Sequence, residues 1–513
     1  MELYRLRHPD LACALMEQAR RPAGVPWIAA LTVLTLVRLA VAAWMPLSPD
    51  EAYYWIWSRA SDLSYLDHPP MVAWWIRIGT TLLPDGAAWL PLGVRLLGPV
   101  SAALGSILLV RAGIDLFASR TAGLKAALLL NATLFLGAGS VIMTPDTPLL
   151  FFCVLLLFAL GRIVDSSRED RGQGGWWLLA GLAAGCGLLS KYTAALPIMG
   201  MGLWLLDQKA SFRWIRRWHP WAGLMVAAVL FSPVILWNVQ HGWASFIKQG
   251  GRNGAFHWTF RYLGELLGGQ AGLATPGVFL LCAAGVGQAF HIWLRQRRQG
   301  EPAELATAAL LAALTLPGII FLEHALGDRV QANWPALLYP AACLAAGGLL
   351  PGWRWFRVAS VLGLGITALV YMQATLMLLP LPPKLDPAAS RMSGWQTMAQ
   401  KAAELARANG MKAVVADNYD LASELAVYLP VDVQAWGMEP RWRLFRLPYV
   451  KADGASVLLI ETAKRKEPPD PLDWADLQSL GEVVRQHDGR VIETYHLYRA
   501  RPLGTATLLP RQP

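Results

Sequence analysis

Residues 148–164 read PLLFFCVLLLFALGRIV, a run in which Arg162 is the single charged side chain. An apolar helix of about 20 residues crosses the hydrocarbon core of a bilayer. Similar runs recur from residue 27 to about residue 381, and charged residues make up only 16% of the chain. Soluble domains carry about 25%. The pattern therefore predicts a polytopic α-helical membrane protein.

Working outward from this run, the apolar stretches predict about 11 transmembrane helices. Their expected ranges are 27–46, 87–109, 122–142, 148–164, 176–190, 193–206, 220–237, 273–293, 303–321, 334–350 and 357–381. Basic residues concentrate in every second loop between the predicted spans, for example at Arg295, Arg297 and Arg298. Because cytoplasmic loops carry the excess of Lys and Arg, the N-terminus is expected in the cytoplasm. An odd number of spans then puts the C-terminal region outside.

Composition divides the chain into four parts. They are a cytoplasmic N-terminal arm at 1–26, a transmembrane catalytic domain at 27–381 with an outer loop at 47–86, a small periplasmic α/β domain at 382–502, and a loose tail at 503–513. In the α/β domain the patterns predict strands at 411–416 and 456–460, helices at 421–428 and 471–480, and a strand pair across Asp488-Gly489. The formal net charge of +10 resides mainly in short loops, without a basic aromatic strip, so no nucleic-acid partner is predicted.

Two acidic residues follow the first predicted span, in the segment LSPDEAYYW at 47–55. Ser48 and Glu51 have the spacing of a capping box, with Pro49 between them at the first helical position. Asp146 follows Thr144-Pro145 in a similar arrangement, and acids in a first turn are favoured by the helix dipole. The sequence is consistent with a helix-capping role and with a catalytic role for the acidic residues at both sites. Glu51 can cap the helix while Asp50, about 100° around it, faces a cavity.

Other polar groups fall in connections on the predicted outer face. Asp67-His68 is either a metal or phosphate ligand or an ordinary polar loop, and Lys191 either snorkels to the interface or pairs with a lipid phosphate. The candidate substrate-binding residues are His68, Tyr54, Lys191, Arg252, Arg329, Asn333 and Trp334. No cofactor is certain. A divalent metal is left open, with Asp50, Asp67 and His68 as its candidate ligands.

Several of these stretches resemble the bacterial members of glycosyltransferase family 39. This group belongs to the GT-C superfamily and is related to protein O-mannosyltransferases and the lipid A aminoarabinose transferase. The matching stretches are DEAYYW at 50–55, DHPPM at 67–71, MTPD at 143–146, SKYT at 190–193, SPVILWN at 232–238 and QANWPA at 331–336. The aminoarabinose transferase has a lysine before its Pro-Pro pair, where this chain has His68.

The resemblance implies a GT-C membrane fold and transfer of a sugar from a polyprenyl-phosphate donor to an envelope acceptor. The acceptor would be lipid A or core, another glycan, or protein, and transfer would occur on the outer face of the inner membrane. The family's functional aspartates map to Asp50 and Asp146, and Glu51 is a further catalytic candidate. Direct displacement would invert the anomeric centre. The alternatives are a flippase or transporter for a lipid-linked sugar and a non-catalytic envelope scaffold.

Overall fold

The architecture comes from a computed structural model of the chain. It describes residues 25–168, 174–207, 214, 216–251, 258–299, 307–379, 381–382, 386–452, 454–464, 469 and 473–512. The predicted N-terminal arm therefore lies almost entirely outside the described residues, and so does Arg252.

The helices before residue 210 are numbered in chain order. They are α1 (Val25–Trp44), α2 (Pro49–Arg59), α3 (Met71–Leu82), α4 (Leu90–Arg95), α5 (Leu97–Phe117), α6 (Arg120–Asn131), α7 (Leu134–Gly137), α8 (Asp146–Arg168), α9 (Gly174–Ser190) and α10 (Ala195–Asp207).

The later helices continue the numbering. They are α11 (Trp218–Gln240), α12 (Ala244–Gly250), α13 (Arg261–Leu273), α14 (Pro276–Gln299), α15 (Thr307–Thr315), α16 (Ile319–His324), α17 (Tyr339–Leu349), α18 (Arg354–Leu376), α19 (Pro387–Met392), α20 (Trp395–Ala408) and α21 (Tyr419–Tyr428). Short 3-10 helices occupy Ala138–Ser140, Tyr192–Ala194, Leu316–Gly318, Trp334–Leu338 and Pro440–Leu444.

Each predicted span overlaps one or more of these helices, which confirms a multi-pass helical membrane protein. Within the described residues, seven helices are long and apolar enough to cross a membrane, or eight if a bent pair counts as one span. Gly174–Ser190 and Trp334–Leu349 are apolar but shorter. The count of about 11 therefore stays a prediction. Within the predicted outer loop at 47–86 the chain forms helices α2 and α3.

The bent pair consists of α6 and the segment Leu134–Ser140, which meet at an angle of 71°. Thr133 accounts for the restart, because its side chain accepts a hydrogen bond from the backbone N–H of Leu136 at 3.2 Å. Beyond the bend, the Thr147 hydroxyl donates to the carbonyls of Gly139 and Ile142 at 2.9 and 3.0 Å. These bonds tie the connection to the start of α8, where Asp146 lies.

The chain forms two compact units. The first comprises residues 1–38, 67–71 and 98–369, and the second comprises residues 39–66, 72–97 and 370–513. The core of the first unit is apolar and includes residues of α5, α6, α8, α14 and α17. The second unit contains α2 and α3 together with the C-terminal sheet. Asp146 belongs to the first unit and Asp50 to the second.

The C-terminal sheet has seven strands in the order β3-β7-β2-β1-β4-β6-β5. The strands are β1 (Ala413–Ala416), β2 (Gln434–Gly437), β3 (Tyr449–Lys451), β4 (Val457–Thr462), β5 (Trp474–His487), β6 (Arg490–Pro502) and β7 (Thr505–Leu508). Strand β1 pairs in parallel with β2 and β4. The predicted strands at 411–416 and 456–460, the helix at 421–428 and the hairpin across Asp488-Gly489 are confirmed.

Two predictions for this sheet are wrong. The stretch 471–480, expected to be helical, enters strand β5, which pairs antiparallel with β6 along almost its whole length. The tail at 503–513, expected to be loose, contains strand β7, which pairs with both β2 and β3. In both cases the partner strand supplies backbone hydrogen bonds and packing, which decide strand formation more than local propensity does.

Candidate active site

Asp146 is the centre of a polar cluster in the first unit. It lies in the first turn of α8, as predicted, and its side chain is largely buried. Both carboxylate oxygens accept hydrogen bonds from the Lys191 ammonium group, at 2.8 and 2.9 Å. Oδ2 also accepts a hydrogen bond from the Asn333 amide at 2.7 Å. Three predicted site residues from widely separated segments therefore meet here.

Lys191 is held at the end of α9, where the helix stops and a 3-10 turn begins. Its side chain is only 8% exposed and its charge is paired with Asp146. Neither sequence interpretation, snorkelling or pairing with a lipid phosphate, anticipates this partner. The signal available in the sequence is that Lys191 is the one basic residue between two short apolar stretches. A buried cation of this kind requires a nearby anion.

A second ion pair in the same unit joins Asp67 and Lys248. The Lys248 ammonium lies 2.5 Å from the Asp67 carboxylate, and the neighbouring Gln249 amide donates to the Asp67 carbonyl at 2.6 Å. Helix α12 thereby fixes the backbone directly before His68. The Asp67-His68 segment is thus brought against a basic residue on a distant part of the chain.

Tyr192 connects the two ion pairs. Its hydroxyl lies 2.7 Å from the Ser245 hydroxyl on α12, the helix that carries Lys248. The backbone N–H of Ser245 donates to the side chain of Asn238, which is fully buried at the end of α11. Polar residues of the MTPD, SKYT, SPVILWN and QANWPA stretches, together with Asp67, therefore form one polar network.

The remaining predicted substrate-binding residues of this unit differ in their positions. Arg329 is exposed and pairs with Glu265 at 3.2 Å, while Trp334 begins a 3-10 helix and is half-buried. The Arg329 side chain is not seen to join the Asp146 cluster. Gln270 supports the same loop, because its amide donates to the Ala332 carbonyl at 2.7 Å. Arg252 lies outside the described residues.

In the second unit, Asp50 and Glu51 have separate environments. Ser48 and Glu51 form the predicted capping box of α2. The Glu51 side chain is fully buried, and its two oxygens each lie 2.6 Å from the Arg95 guanidinium. Asp50, by contrast, is 39% exposed and accepts a hydrogen bond from Arg391 at 3.1 Å. Glu51 is therefore buried in an ion pair and a capping box, whereas Asp50 is partly exposed, and a catalytic role for Glu51 stays a prediction.

Arg95 should be the most sensitive structural residue of this region. All five of its N–H donors are used, on Glu51 and on the carbonyls of Ala42, Met45 and Pro46. Replacing Arg95 by Met leaves a buried carboxylate without its cation, which we expect to destabilise the protein by about 3–5 kcal/mol. Thermal unfolding and purified yield measure this loss. The control Arg77→Met, at an exposed position of α3, should change neither, and an unchanged Arg95→Met protein would contradict the assignment.

Aromatic side chains of α2 pack against the C-terminal module within the second unit. The Tyr53 ring lies 4.7 Å from the Tyr419 ring of α21, and Arg441 stacks on Tyr419 at 3.7 Å. Tyr54, a predicted substrate-binding residue, is 8% exposed and its ring lies 4.9 Å from that of Trp57. Tyr54 is therefore largely committed to packing.

The described residues contain no group of three or more His, Cys, Asp or Glu side chains that could hold a metal ion. Of the three candidate ligands, Asp67 pairs with Lys248 and Asp50 with Arg391. Basic side chains accordingly provide positive charge beside both carboxylates.

Comparison with known sequences supports the family resemblance. Residues 67–237 match the family described as dolichyl-phosphate-mannose-protein mannosyltransferase. The lipid A galacturonosyltransferase RgtD of Rhizobium johnstonii is 27% identical over 388 residues, which cover 73% of this chain and 76% of that protein. The undecaprenyl phosphate-α-4-amino-4-deoxy-L-arabinose arabinosyl transferase of Erwinia tasmaniensis is 26% identical over 59% of this chain and 55% of that protein.

Comparison with solved structures supports the fold. ArnT from Cupriavidus metallidurans, bound to undecaprenyl phosphate, aligns with a TM-score of 0.59 over 93% of this chain and 98% of that chain, at 16% sequence identity. The apo state of the same protein gives a TM-score of 0.60. The predicted architecture, a polytopic helical membrane protein with a small C-terminal α/β domain, is thereby confirmed, and its fold is similar to that of ArnT.

Proposed function

We propose that this chain, a membrane glycosyltransferase of the GT-C type, moves a sugar from a polyprenyl-phosphate donor to an envelope acceptor. Lipid A is the favoured acceptor, because the lipid A galacturonosyltransferase matches 73% of this chain. The lipopolysaccharide core is the second candidate, because a core galacturonosyltransferase of the same organism matches 18% of it. The observation that carries the proposal is the network around Asp146, Lys191, Asn333 and Lys248. It holds two lysine ammonium groups, which bind phosphate oxygens, beside carboxylates.

The proposed transfer requires few chemical steps from the protein's own side chains. A sugar phosphodiester already has a good leaving group, so the acceptor oxygen attacks C1, the bond from C1 to the phosphate oxygen breaks, and polyprenyl phosphate leaves. The acceptor proton must be removed and the groups must be held in line. We assign proton removal or acceptor orientation to Asp50 and electrostatic support to Asp146. Lys191, Lys248, His68, Arg329 and Arg252 form the pool of phosphate partners.

The orientation in the membrane is part of the proposal. The protein crosses the bilayer several times, and we assign it to the bacterial inner membrane with its N-terminus in the cytoplasm and its sheet domain in the periplasm. The excess of Lys and Arg in alternate loops supports this orientation. The polyprenyl-phosphate sugar would then be used at the outer face.

Purified protein in detergent tests the function directly. Labelled polyprenyl-phosphate sugars, including a uronic acid and 4-amino-4-deoxyarabinose, are offered with lipid A, lipopolysaccharide core and a protein acceptor. We expect label to appear on lipid A or core. EDTA should leave the rate unchanged, because basic side chains supply the positive charge in the proposed mechanism. Movement of the donor across vesicles without transfer would instead identify a flippase, and neither activity would favour a scaffold.

A further inference from the structure

An apolar cavity of about 360 Å³ lies between α9, α10 and α11 in the first unit. All of its described lining residues are apolar, and they include Trp177 of α9, Leu205 of α10, Trp221 of α11 and Trp214. The volume falls in the range of roughly 300–1,000 Å³ that is typical of small-molecule sites. Such a space holds water poorly, because each water molecule needs about two to four polar partners. The cavity therefore suits an apolar occupant.

The packing of small residues explains why the three helices leave this space. Helices α9 and α11 touch through their backbones, since a Cβ added at Gly181 would overlap the Gly223 carbonyl. Helix α10 packs on its other side against α15, where a Cβ added at Gly200 would lie 2.5 Å from the Ala313 carbonyl oxygen. Gly202 of α10 lines the cavity, and a Cβ added there would meet no described atom within 4 Å beyond its own helix backbone. Helix α10 is thus held against α15 and does not close onto α9 and α11.

The cavity opens sideways into the bilayer. Three of its lining side chains, Leu206, Trp221 and Leu224, are more than half exposed. Helix α11 is long and apolar enough to cross a membrane, so exposed apolar side chains on it face lipid tails. A lipid tail is therefore the molecule that can enter. Tails gain little free energy by moving from the bilayer into an equally apolar space, so selective binding also needs a contact with the headgroup.

Basic side chains at the rim of the cavity supply that contact. The Arg217 guanidinium lies 5.5 Å from the ring centroid of Trp214, a lining residue, and Arg216 precedes it. Both arginine side chains are exposed. The nearby acid, Asp207, is balanced by Arg297 at 3.2 Å. Because basic residues at a membrane surface attract anionic lipids, the rim complements a negatively charged headgroup.

We propose that this cavity binds an acyl chain of an anionic phospholipid whose phosphate contacts Arg216 and Arg217. The site is distinct from the Asp146 cluster, because Trp177 and Ser190 lie about 20 Å apart along the axis of α9. With the orientation proposed above, the lipid belongs to the cytoplasmic leaflet, whereas the sugar donor is used at the outer face. The bound lipid braces α9, the helix whose far end positions Lys191.

Native mass spectrometry of the full-length protein, released from vesicles of equal parts phosphatidylglycerol and phosphatidylcholine, tests the proposal. We expect the wild type to retain one phosphatidylglycerol per chain. Gly202→Phe should lose most of this lipid, because the ring occupies the space of the acyl chain. The matched control is Gly287→Phe on the exposed face of α14, where an added Cβ also meets open space. It should retain the lipid as the wild type does.

A second pair of variants tests the headgroup contact. Arg216→Gln combined with Arg217→Gln should lower the preference for phosphatidylglycerol over phosphatidylcholine by about tenfold, because two charges beside the phosphate are removed. Arg295→Gln combined with Arg298→Gln removes two exposed charges from the end of α14 and should keep the wild-type preference. In detergent, added phosphatidylglycerol should raise the unfolding temperature of the wild type and of Gly287→Phe but not that of Gly202→Phe.

Three results would overturn the proposal. They are equal retention of phosphatidylglycerol by Gly202→Phe and the wild type, equal retention of the two phospholipids by the wild type, and displacement of the lipid by polyprenyl phosphate. The last result would identify the tail of the sugar donor as the occupant. If Gly202→Phe does not fold, the two double arginine variants decide. Neither measurement uses sugar transfer, so failure of the proposed function leaves this inference standing or falling on its own.

Discussion

Replacing Asp50 by Asn should abolish sugar transfer, with kcat/KM lower by about 10³-fold or more. The amide has nearly the same shape as the carboxylate but cannot take a proton from the acceptor. The fold should survive the change, because the cap of α2 is made by Ser48 and Glu51, and Asp50 is partly exposed. The measurement is transfer of labelled sugar by purified protein at matched concentrations.

Asp85 provides the matched control for this prediction. It is an exposed acidic residue in the same predicted outer loop, and Asp85→Asn should keep wild-type activity. Equal unfolding temperatures for the wild type and both variants would show that the loss is chemical. Full activity in Asp50→Asn would reject the proposed role of this carboxylate.

Replacing Asp146 by Asn should also reduce transfer strongly, by about 10²–10³-fold. Here a loss of stability should accompany the loss of activity. Lys191 is nearly buried, and without the Asp146 carboxylate its charge has lost the acceptor that it contacts at 2.8 and 2.9 Å. Breaking a buried pair by removing one partner costs about 3–5 kcal/mol, an upper figure for a site that retains some exposure.

A double variant separates the two effects. Asp146→Asn combined with Lys191→Met removes both charges, so the unfolding temperature should recover while activity stays low. Asn333→Ala, which deletes one hydrogen bond to Asp146, should cause a milder loss of about 10-fold. Glu323→Gln, at an exposed site in the same unit, serves as the control. If activity recovers together with stability in the double variant, Asp146 has a structural role only.

The membrane helices could be predicted because one physical quantity, the length of an apolar run, decides them. The ranges 27–46 and 220–237 lie almost entirely within α1 and α11. Breaks are harder to predict, since the bend between α6 and α7 depends on the Thr133 cap rather than on hydropathy.

The sheet domain shows where local patterns fail. The hairpin across Asp488-Gly489 is readable because its turn residues tolerate the backbone that the turn requires, and both have positive φ. The helix expected at 471–480 has acceptable local propensity, yet the residues from Trp474 onward pair with β6. Such pairing depends on residues more than ten positions away and leaves no periodic signal in its own segment.

The sequence predicts which residues are candidates for the site, but it does not predict the ion-pair partners of those residues. Asp50, Asp146, Lys191 and Asn333 can be identified from the resemblance and from polar residues beside apolar runs. The ion pairs Asp50–Arg391 and Asp146–Lys191 each join segments that are far apart in the chain. No rule of residue spacing predicts such pairs from the sequence.

The position of β7 has a consequence for biosynthesis. This strand is the last in chain order, but it lies between β3 and β2 inside the sheet. Until it has been translated, β2 presents an unpaired edge, and such edges readily associate with other chains. A nascent chain halted before residue 505 would therefore carry an aggregation-prone surface, and the compartment in which the module folds has to shield that edge until synthesis of the strand is complete.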